Sequence, residues 1–285
     1  MPSLADLHST RVIKALCVGE SGTGKTGALA SLARAGYNLW LLDYDNGYEV
    51  LLDLLKDDAP AMSRVQVALL RDTITMDRGV PKVKGPPHAY KDAGKTLAEW
   101  NAQDFGPQDI IVLDTLTTFS DAAFNEALAL SSRLNQRPQL QDYGWMAESV
   151  KLFIELLTSP DLACHVIVNT HVKFFSGDDE SQVAARGLPN ARGQQISQTV
   201  SRYFNSVLLF RSTGSGPATK RVITTQPRGV VEVKTSAPSS AKPEYPISSG
   251  LADLFRDILG STPNDAPSPS KAQRDANVNA TAKEA

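Results

Sequence analysis

The stretch "CVGESGTGKTGALASLA", residues 17–33, constrains this chain more than any other part of it. An apolar run, "RVIKALCVGE", leads into Gly19-Glu20-Ser21-Gly22-Thr23-Gly24-Lys25-Thr26, and Leu29, Leu32 and Ala33 follow at helical spacing. The eight residues match G-x-x-x-x-G-K-[ST], the P-loop pattern. Three glycines let backbone amides converge on one point without Cβ obstruction, in conformations other residues resist. A helix starting near Lys25 aims its positive dipole end at the same point. Strand, loop and helix together therefore predict a cup for phosphate oxygens lined by residues 19–26, with Lys25 reaching the β- and γ-phosphates of a nucleotide and the Thr26 hydroxyl offered to Mg²⁺.

The rest of the chain reads as alternating strands and helices. "YNLWLLDYDNG" is a buried strand ending in acids, "YEVLLDLLKDD" a helix and "RVQVALL" a third strand. Periodicity fails over 71–95, a Pro- and Gly-rich stretch with six Lys/Arg against three Asp, which reads as an irregular basic insertion. Helices are predicted around "TLAEWNAQ", from about Thr118 to Arg133 and from about Tyr143 to Leu157, with strands at "DIIVLDT" and "CHVIVNTH". Residues 173–195 read as a second irregular loop. "SVLLFRS", "KRVITTQ" and "GVVEVKT" read as antiparallel strands joined by turns, and "GLADLFRDILG" as a closing helix. Such alternation predicts an α/β fold with a mostly parallel sheet flanked by helices and antiparallel strands added on the C-terminal side. One domain over 1–260 and a disordered tail over 261–285, which has almost no large apolar residue, complete the organisation.

Polar residues at the predicted strand ends supply the candidate chemistry. Asp114 closes "IIVLD", where a carboxylate can hold Mg²⁺ beside Thr26, and Thr115 follows it. Asp43 and Asp45 end the strand after the P-loop helix. Asp45 is the candidate for orienting or deprotonating an attacking water, with a turn and helix-cap role for Asp45 or Asn46 as the competing reading. Asn169, Thr170 and His171 end a further strand, and His171 can sense a terminal phosphate by hydrogen bonding.

A net charge of −2 gives no global positive field, so a nucleic-acid partner would need a local patch. Lys82, Lys84 and Lys91, with His88 and Tyr90 nearby, are the better electrostatic candidate for such a patch, cations for phosphates and an aromatic for stacking. Cys17 and Cys164 lie in strand-like runs and are expected as buried free thiols, as in a reducing cytosol. No signal peptide and no apolar run of membrane-spanning length is visible, so a cytoplasmic protein with no membrane partner is expected.

Taken together, the P-loop, "IIVLDTLTTFSDAAFNEAL", "QLQDYGWMAESVKLFIELL", "VIVNTHVK", "LPNARGQQISQTVSRYFNSVLLFR" and "RVITTQPRGVVEVKTSAP" resemble the RecA-like P-loop ATPases. They look most like the compact phage-encoded AAA-type ATP-binding proteins, some of which act in single-strand annealing and recombination. The resemblance covers roughly residues 10 to 260. It implies a RecA-like core using ATP and Mg²⁺, with Lys25, Asp45, Asp114 and His171 as catalytic residues and Thr26 and Asp114 at the metal. Where this family commonly has a catalytic glutamate, the chain has Asp45, one methylene shorter, and His171 stands near the position of its switch glutamine.

The resemblance also implies a homo-oligomer on single-stranded DNA, in the cytoplasm of a bacterial host, with a phage or host single-strand-binding or recombination protein as partner. Its second DNA-contacting loop matches about 173–195, where Lys173, Arg186 and Arg192 are offset by Asp178, Asp179 and Glu180. Family members often complete the site with a cation from the neighbouring subunit; Arg192, Arg202, Arg211, Lys220, Arg221 and Lys234 are eligible. The expected function is a Mg²⁺-dependent ATPase of phage DNA recombination or replication. The alternatives are a nucleotide-gated annealing or scaffold protein with negligible turnover, and a small-molecule P-loop kinase.

Overall fold

The computed structural model describes residues 11–175 and 186–265, apart from 215, 217, 218 and 228. An eight-stranded sheet forms its centre: in spatial order β12 (Glu244–Pro246), β11 (Lys220–Thr224), β10 (Ser206–Thr213), β1 (Lys14–Gly19), β7 (His165–Thr170), β6 (Asp109–Asp114), β2 (Asn38–Asp43) and β3 (Val65–Leu69). From β10 to β3 every pair is parallel, whereas β11 and β12 run antiparallel. Strands β1, β6 and β7 are buried along their whole length, which is why they read as unbroken apolar runs.

Successive residues of these strands feed two cores, one on each face. Ala15 and Cys17 of β1 pack with α1 (Lys25–Arg34), α2 (Tyr48–Leu55) and α8 (Gly250–Leu259). Leu16 and Val18 pack on the other face with α4 (Ala89–Glu99), α5 (Leu116–Leu130) and α6 (Leu140–Thr158). The short α3 (Ala59–Met62) precedes β3, and α7 (Gln194–Thr199) precedes β10. All six parallel strands end at the same edge, so the residues after β1, β2, β6 and β7 converge there. Cys17 and Cys164 are buried free thiols, as expected. Among the described residues, no helix is long and apolar enough to cross a membrane.

Four expectations change. The segment 71–95 is not irregular: β4 (Ile74–Asp77) and β5 (Val80–Val83) form an antiparallel hairpin, and α4 starts at Ala89, several residues before the expected helix. Residues 173–195 likewise contain a hairpin, β8 (Val172–Phe175) against β9 (Arg186–Pro189), and the beginning of α7; Asp178, Asp179 and Glu180 lie outside the described residues. "GVVEVKT" is not a strand. It touches its neighbours through isolated bridges, Gly187 to Val231 and Val207 to Lys234, and buries Val231 and Val233; the third C-terminal strand is β12 instead. Finally, residues 261–265 dock against the end of α1, where Asn264 donates from its backbone to Ala35 O (3.2 Å) and from Nδ2 to Arg34 O (2.8 Å). The remainder of the expected tail, 266–285, lies outside the described residues.

Candidate functional site

Gly22 and Gly24 adopt φ of +76° and +92°, the left-handed region that favours glycine, and this bends the loop into a cup ahead of α1. Thr23 is buried inside the loop and its Oγ1 donates to Glu20 O (2.8 Å). Lys25 Nζ lies across the cup and donates to Gly19 O (2.9 Å) and Glu20 O (3.0 Å). Burial lowers the Lys25 pKa, opposed by the charge of Asp114. A cationic group beside backbone N–H groups at the start of a helix is suited to an anion.

Thr26 and Asp114 meet at this point, 88 residues apart in sequence: Thr26 Oγ1 donates to Asp114 Oδ2 at 2.6 Å. Asp114 Oδ1 accepts from Asn169 Nδ2 (3.1 Å) on β7, the strand between β1 and β6. Burial pushes the Asp114 pKa up to about 6; the bonds from Thr26 and Asn169 oppose the rise, and the charges of Asp43 and Asp45 add to it. Gly47 closes over the pair. A Cβ there would sit 2.6 Å from Asp114 Oδ2 and 2.9 Å from Thr26 Cγ2.

Asp43 and Asp45 divide their tasks. Asp43 Oδ1 accepts the amides of Asp45 (2.9 Å) and Gly47 (3.1 Å), and Oδ2 that of Tyr48 (3.0 Å), so it, rather than Asp45 or Asn46, organises the turn into α2. Asp45 is thereby projected toward α5, where its carboxylate accepts from Thr115 Oγ1 (2.9 Å) and from Thr118 Oγ1. His171 Nε2 lies 4.0 Å from Asp45 Oδ2. Burial first, and then the charge of Lys25, lower the His171 pKa, which favours the neutral ring. Sequence reading missed Thr118; its signal is the i, i+3 spacing from Thr115, which caps α5.

These groups share one cavity of about 580 Å³, lined among others by Ser21, Gly22, Gly24, Lys25, Thr26, Asp45, Asp114, Thr115 and His171. Its other end runs along α1, over Gly27, Ala30 and Arg34, between Val50 and Leu54 of α2 and Ile247 beyond β12. One end is thus polar and crowded with charge while the other is apolar, as a nucleotide requires.

The donor set also fits Mg²⁺. A hydroxyl and a carboxylate, both hard oxygens, stand side by side with the charges of two further carboxylates close by. Asn169 Oδ1 is buried with no hydrogen-bond partner among the described residues, an acceptor that a metal-bound water would satisfy. No cluster of three or more His, Cys, Asp or Glu among the described residues could hold a metal alone, so phosphate oxygens and water would complete the shell.

The six cations expected at DNA lie away from this cavity, and three are engaged elsewhere. Lys82 pairs with Asp77 (2.5 Å), Lys91 with Glu126 (3.2 Å), and Arg192 with Asp121 (2.5 Å) while stacking on Phe124. Tyr90 packs against Phe119 and is not free to stack on a base. Lys84, Lys173 and Arg186 have no acidic partner among the described residues. Of the cations considered for a neighbouring site, Arg211 pairs with Glu244, Arg202 stacks on Tyr203, and Arg221 lines the chain's own cavity.

The sequence pattern of the AAA domain family matches residues 11–236. No curated protein matches the sequence. Among solved structures, the chain is similar to a RadB recombinase at 16% identity, with 74% of this chain and 79% of that chain covered and a TM-score of 0.40. It is also similar to the KaiC-like protein PH0186 from the archaeon Pyrococcus horikoshii OT3, at 10% identity over 82% of this chain and 84% of that chain, TM-score 0.40. With the match spanning more than three quarters of its length and the P-loop and Asp114 joined in space, the chain belongs to the AAA domain family.

Proposed function

We propose that this protein binds ATP with Mg²⁺ and hydrolyses it while working on single-stranded DNA in recombination or replication, as a homo-oligomer. The observation that carries the reading is the 2.6 Å bond between Thr26 and Asp114 inside the P-loop cavity. Thr26 and Asp114 would hold Mg²⁺, which when bound neutralises charge on the phosphates and polarises the terminal phosphorus for attack. Lys25 swings from its carbonyl partners onto the phosphate oxygens. Asp45 keeps a free lone pair on each oxygen beyond the threonine bonds. It can therefore take the proton of a water whose oxygen bonds to the γ-phosphorus as the bond to ADP breaks. Neutral His171 can donate a hydrogen bond to the terminal phosphate and, through β8, pass its presence to the β8–β9 hairpin.

That hairpin is the better candidate for the DNA contact. Cross-strand partners share a face, so Lys173, Phe175 and Arg186 lie together, two residues beyond His171. Cations beside an aromatic suit a single strand. A second reading, nucleotide-gated annealing without appreciable turnover, is favoured by the shorter reach of Asp45 and by its two threonine bonds.

Phosphate release and nucleotide binding, each measured with and without an oligonucleotide, separate the two. A large DNA-dependent rise in release supports the enzyme, and nucleotide-gated DNA binding with flat release supports the scaffold. Lys25→Ala abolishes tight ATP binding in either case; wild-type affinity in that variant overturns the assignment of the cavity.

A further inference from the structure

Family resemblance leads one to expect the second cation of the site from a neighbouring subunit, yet the cavity already contains one from its own chain. Arg221 is the second residue of β11, which runs antiparallel to β10. Its start therefore lies at the edge of the sheet where the P-loop opens. Ile223, two residues on and so on the same face, is buried in the α1 and α8 core, which puts Arg221 on the α1 side. Arg221 O accepts from Ile247 N (3.1 Å), and this bond sets the two side chains next to each other above Gly24. A Cβ on Gly24 would lie 3.1 Å from Ile247 Cγ1 and 3.5 Å from Arg221 Cδ.

The guanidinium has no hydrogen-bond or ion-pair partner among the described residues. Other arginines nearby are committed: Arg211 to Glu244, and Arg34 to Leu54 O (2.6 Å) and Asp58 (3.6 Å). Arg221 is thus an uncommitted fork-shaped cation at the wall of an anion cup, facing a loop whose other cation is Lys25. The surroundings also say which part of the ligand it meets. Asp45, Thr115 and His171 mark the terminal-phosphate end, and none of them makes a hydrogen bond or ion pair with Arg221. Its neighbours are Gly24 and Ile247, at the junction between the phosphate cup and the apolar groove along α1.

We infer that Arg221 binds the inner phosphates of a nucleoside di- or triphosphate in cis, so that a single chain supplies both cations of its nucleotide grip. The inference rests on the nucleotide reading above. Because inner phosphates are common to ATP and ADP, Arg221 contributes to both alike and does not tell them apart.

Titrations of ATP, ADP and adenosine into the wild type, Arg221→Ala, Arg221→Lys and Lys25→Ala test it. Arg221 is exposed and unpaired, so its variants should keep the wild-type melting temperature without nucleotide. Arg221→Ala should weaken ATP and ADP equally, by about tenfold, as loss of one charge-assisted contact at a solvent-accessible site does. Adenosine binding should not change, Arg221→Lys should recover part of the loss, and the gap should narrow as salt is added.

Unchanged ATP and ADP affinities in Arg221→Ala, with Lys25→Ala still abolishing binding, overturn the role of Arg221 and leave the nucleotide site standing. Wild-type affinity in Lys25→Ala overturns the site itself. Loss confined to ATP would place the cation at the terminal phosphate and overturn the inference. So would a mixture of Lys25→Ala and Arg221→Ala chains that regains tight ATP binding, because only a composite site between subunits can do that.

Discussion

Asp45 is held by Thr115, which caps α5, and by Thr118 in its first turn, and that arrangement decides what its variants should do. The hydroxyls of Thr115 and Thr118 fix the carboxylate without consuming all of its lone pairs. If the carboxylate is the base, Asp45→Asn should leave ATP affinity within about threefold and cut phosphate release by roughly 10²-fold or more. Thr118→Val should cost less, about tenfold, since the base survives but loses its aim; Thr118→Ser keeps the hydroxyl and should restore the rate. Equal rates for Thr118→Val and wild type would show that the second bond positions nothing. Gly47 sits at a φ of −63°, open to any residue, so its constraint is space alone. Gly47→Ala should weaken Mg²⁺-dependent nucleotide binding by about 1–3 kcal/mol through crowding of Thr26 and Asp114, with Mg²⁺-free binding less affected. The P-loop, Asp45, Asp114 and His171 were legible because each ends a run of buried strand residues. Thr118 was not, since its spacing from Thr115 gains meaning only once Asp45 packs against α5. Arg221 could not be singled out among the eligible cations until the pairing of β11 with β10 brings it to the cavity.

At the scale of elements, what was legible followed burial. β1, β2, β6 and β7 are central strands, and their apolar runs need no partner to be read. α4 escaped because its signals are distant. "GPPHAY" looks like a loop, but Asp72 Oδ1 accepts the amides of His88 (2.8 Å) and Ala89 (3.0 Å), capping the helix from across a turn, while Ala89, Ala93 and Leu97 are buried. "GVVEVKT" has strand-like alternation, but β10 already pairs with β1 and β11 and leaves it only the bridge at Val207. The two hairpins now carry different expectations for DNA. Lys82 and Lys91 are tied to acids, whereas Lys173 and Arg186 share a face with Phe175. Lys173→Ala with Arg186→Ala should weaken oligonucleotide binding and lower the salt slope by about 1.4, two contacts at about 0.7 each. Replacing Lys82, Lys84 and Lys91 by Ala should change the slope less. The reverse ranking would move the DNA contact to the β4–β5 hairpin and α4.

Across the whole molecule, β1 links the site to the opposite edge of the sheet, where His165 pins its start. His165 Nδ1 accepts from Ile13 N (2.9 Å), so the ring proton sits on Nε2, which donates to Pro107 O (2.9 Å) ahead of β6. The ring lies edge-on to Tyr37 and Phe255 with no exposed surface. Burial lowers its pKa from 6.5 to about 4; the bond to Pro107 opposes this, and Lys14 and Asp109 act with smaller, opposite effects. Protonation would destroy the Nδ1 acceptor. The sign follows: between pH 6.5 and 4 the unfolded chain takes up a proton that the folded chain refuses, so stability rises with pH through this window and is lost on acidification. Integrated over the window, the loss is on the order of 3 kcal/mol. Asp114, held near 6, acts in the opposite direction below that pH, so wild-type unfolding alone would blur the effect. His165→Gln isolates it. The variant should be less stable than wild type at pH 7.5, and the gap measured by urea unfolding should shrink steadily toward pH 4 as the wild type alone loses the histidine's contribution. A gap that stays constant from pH 7.5 to 4 would mean that His165 titrates as freely in the folded protein as in the unfolded chain, and that the far end of β1 is held by something else.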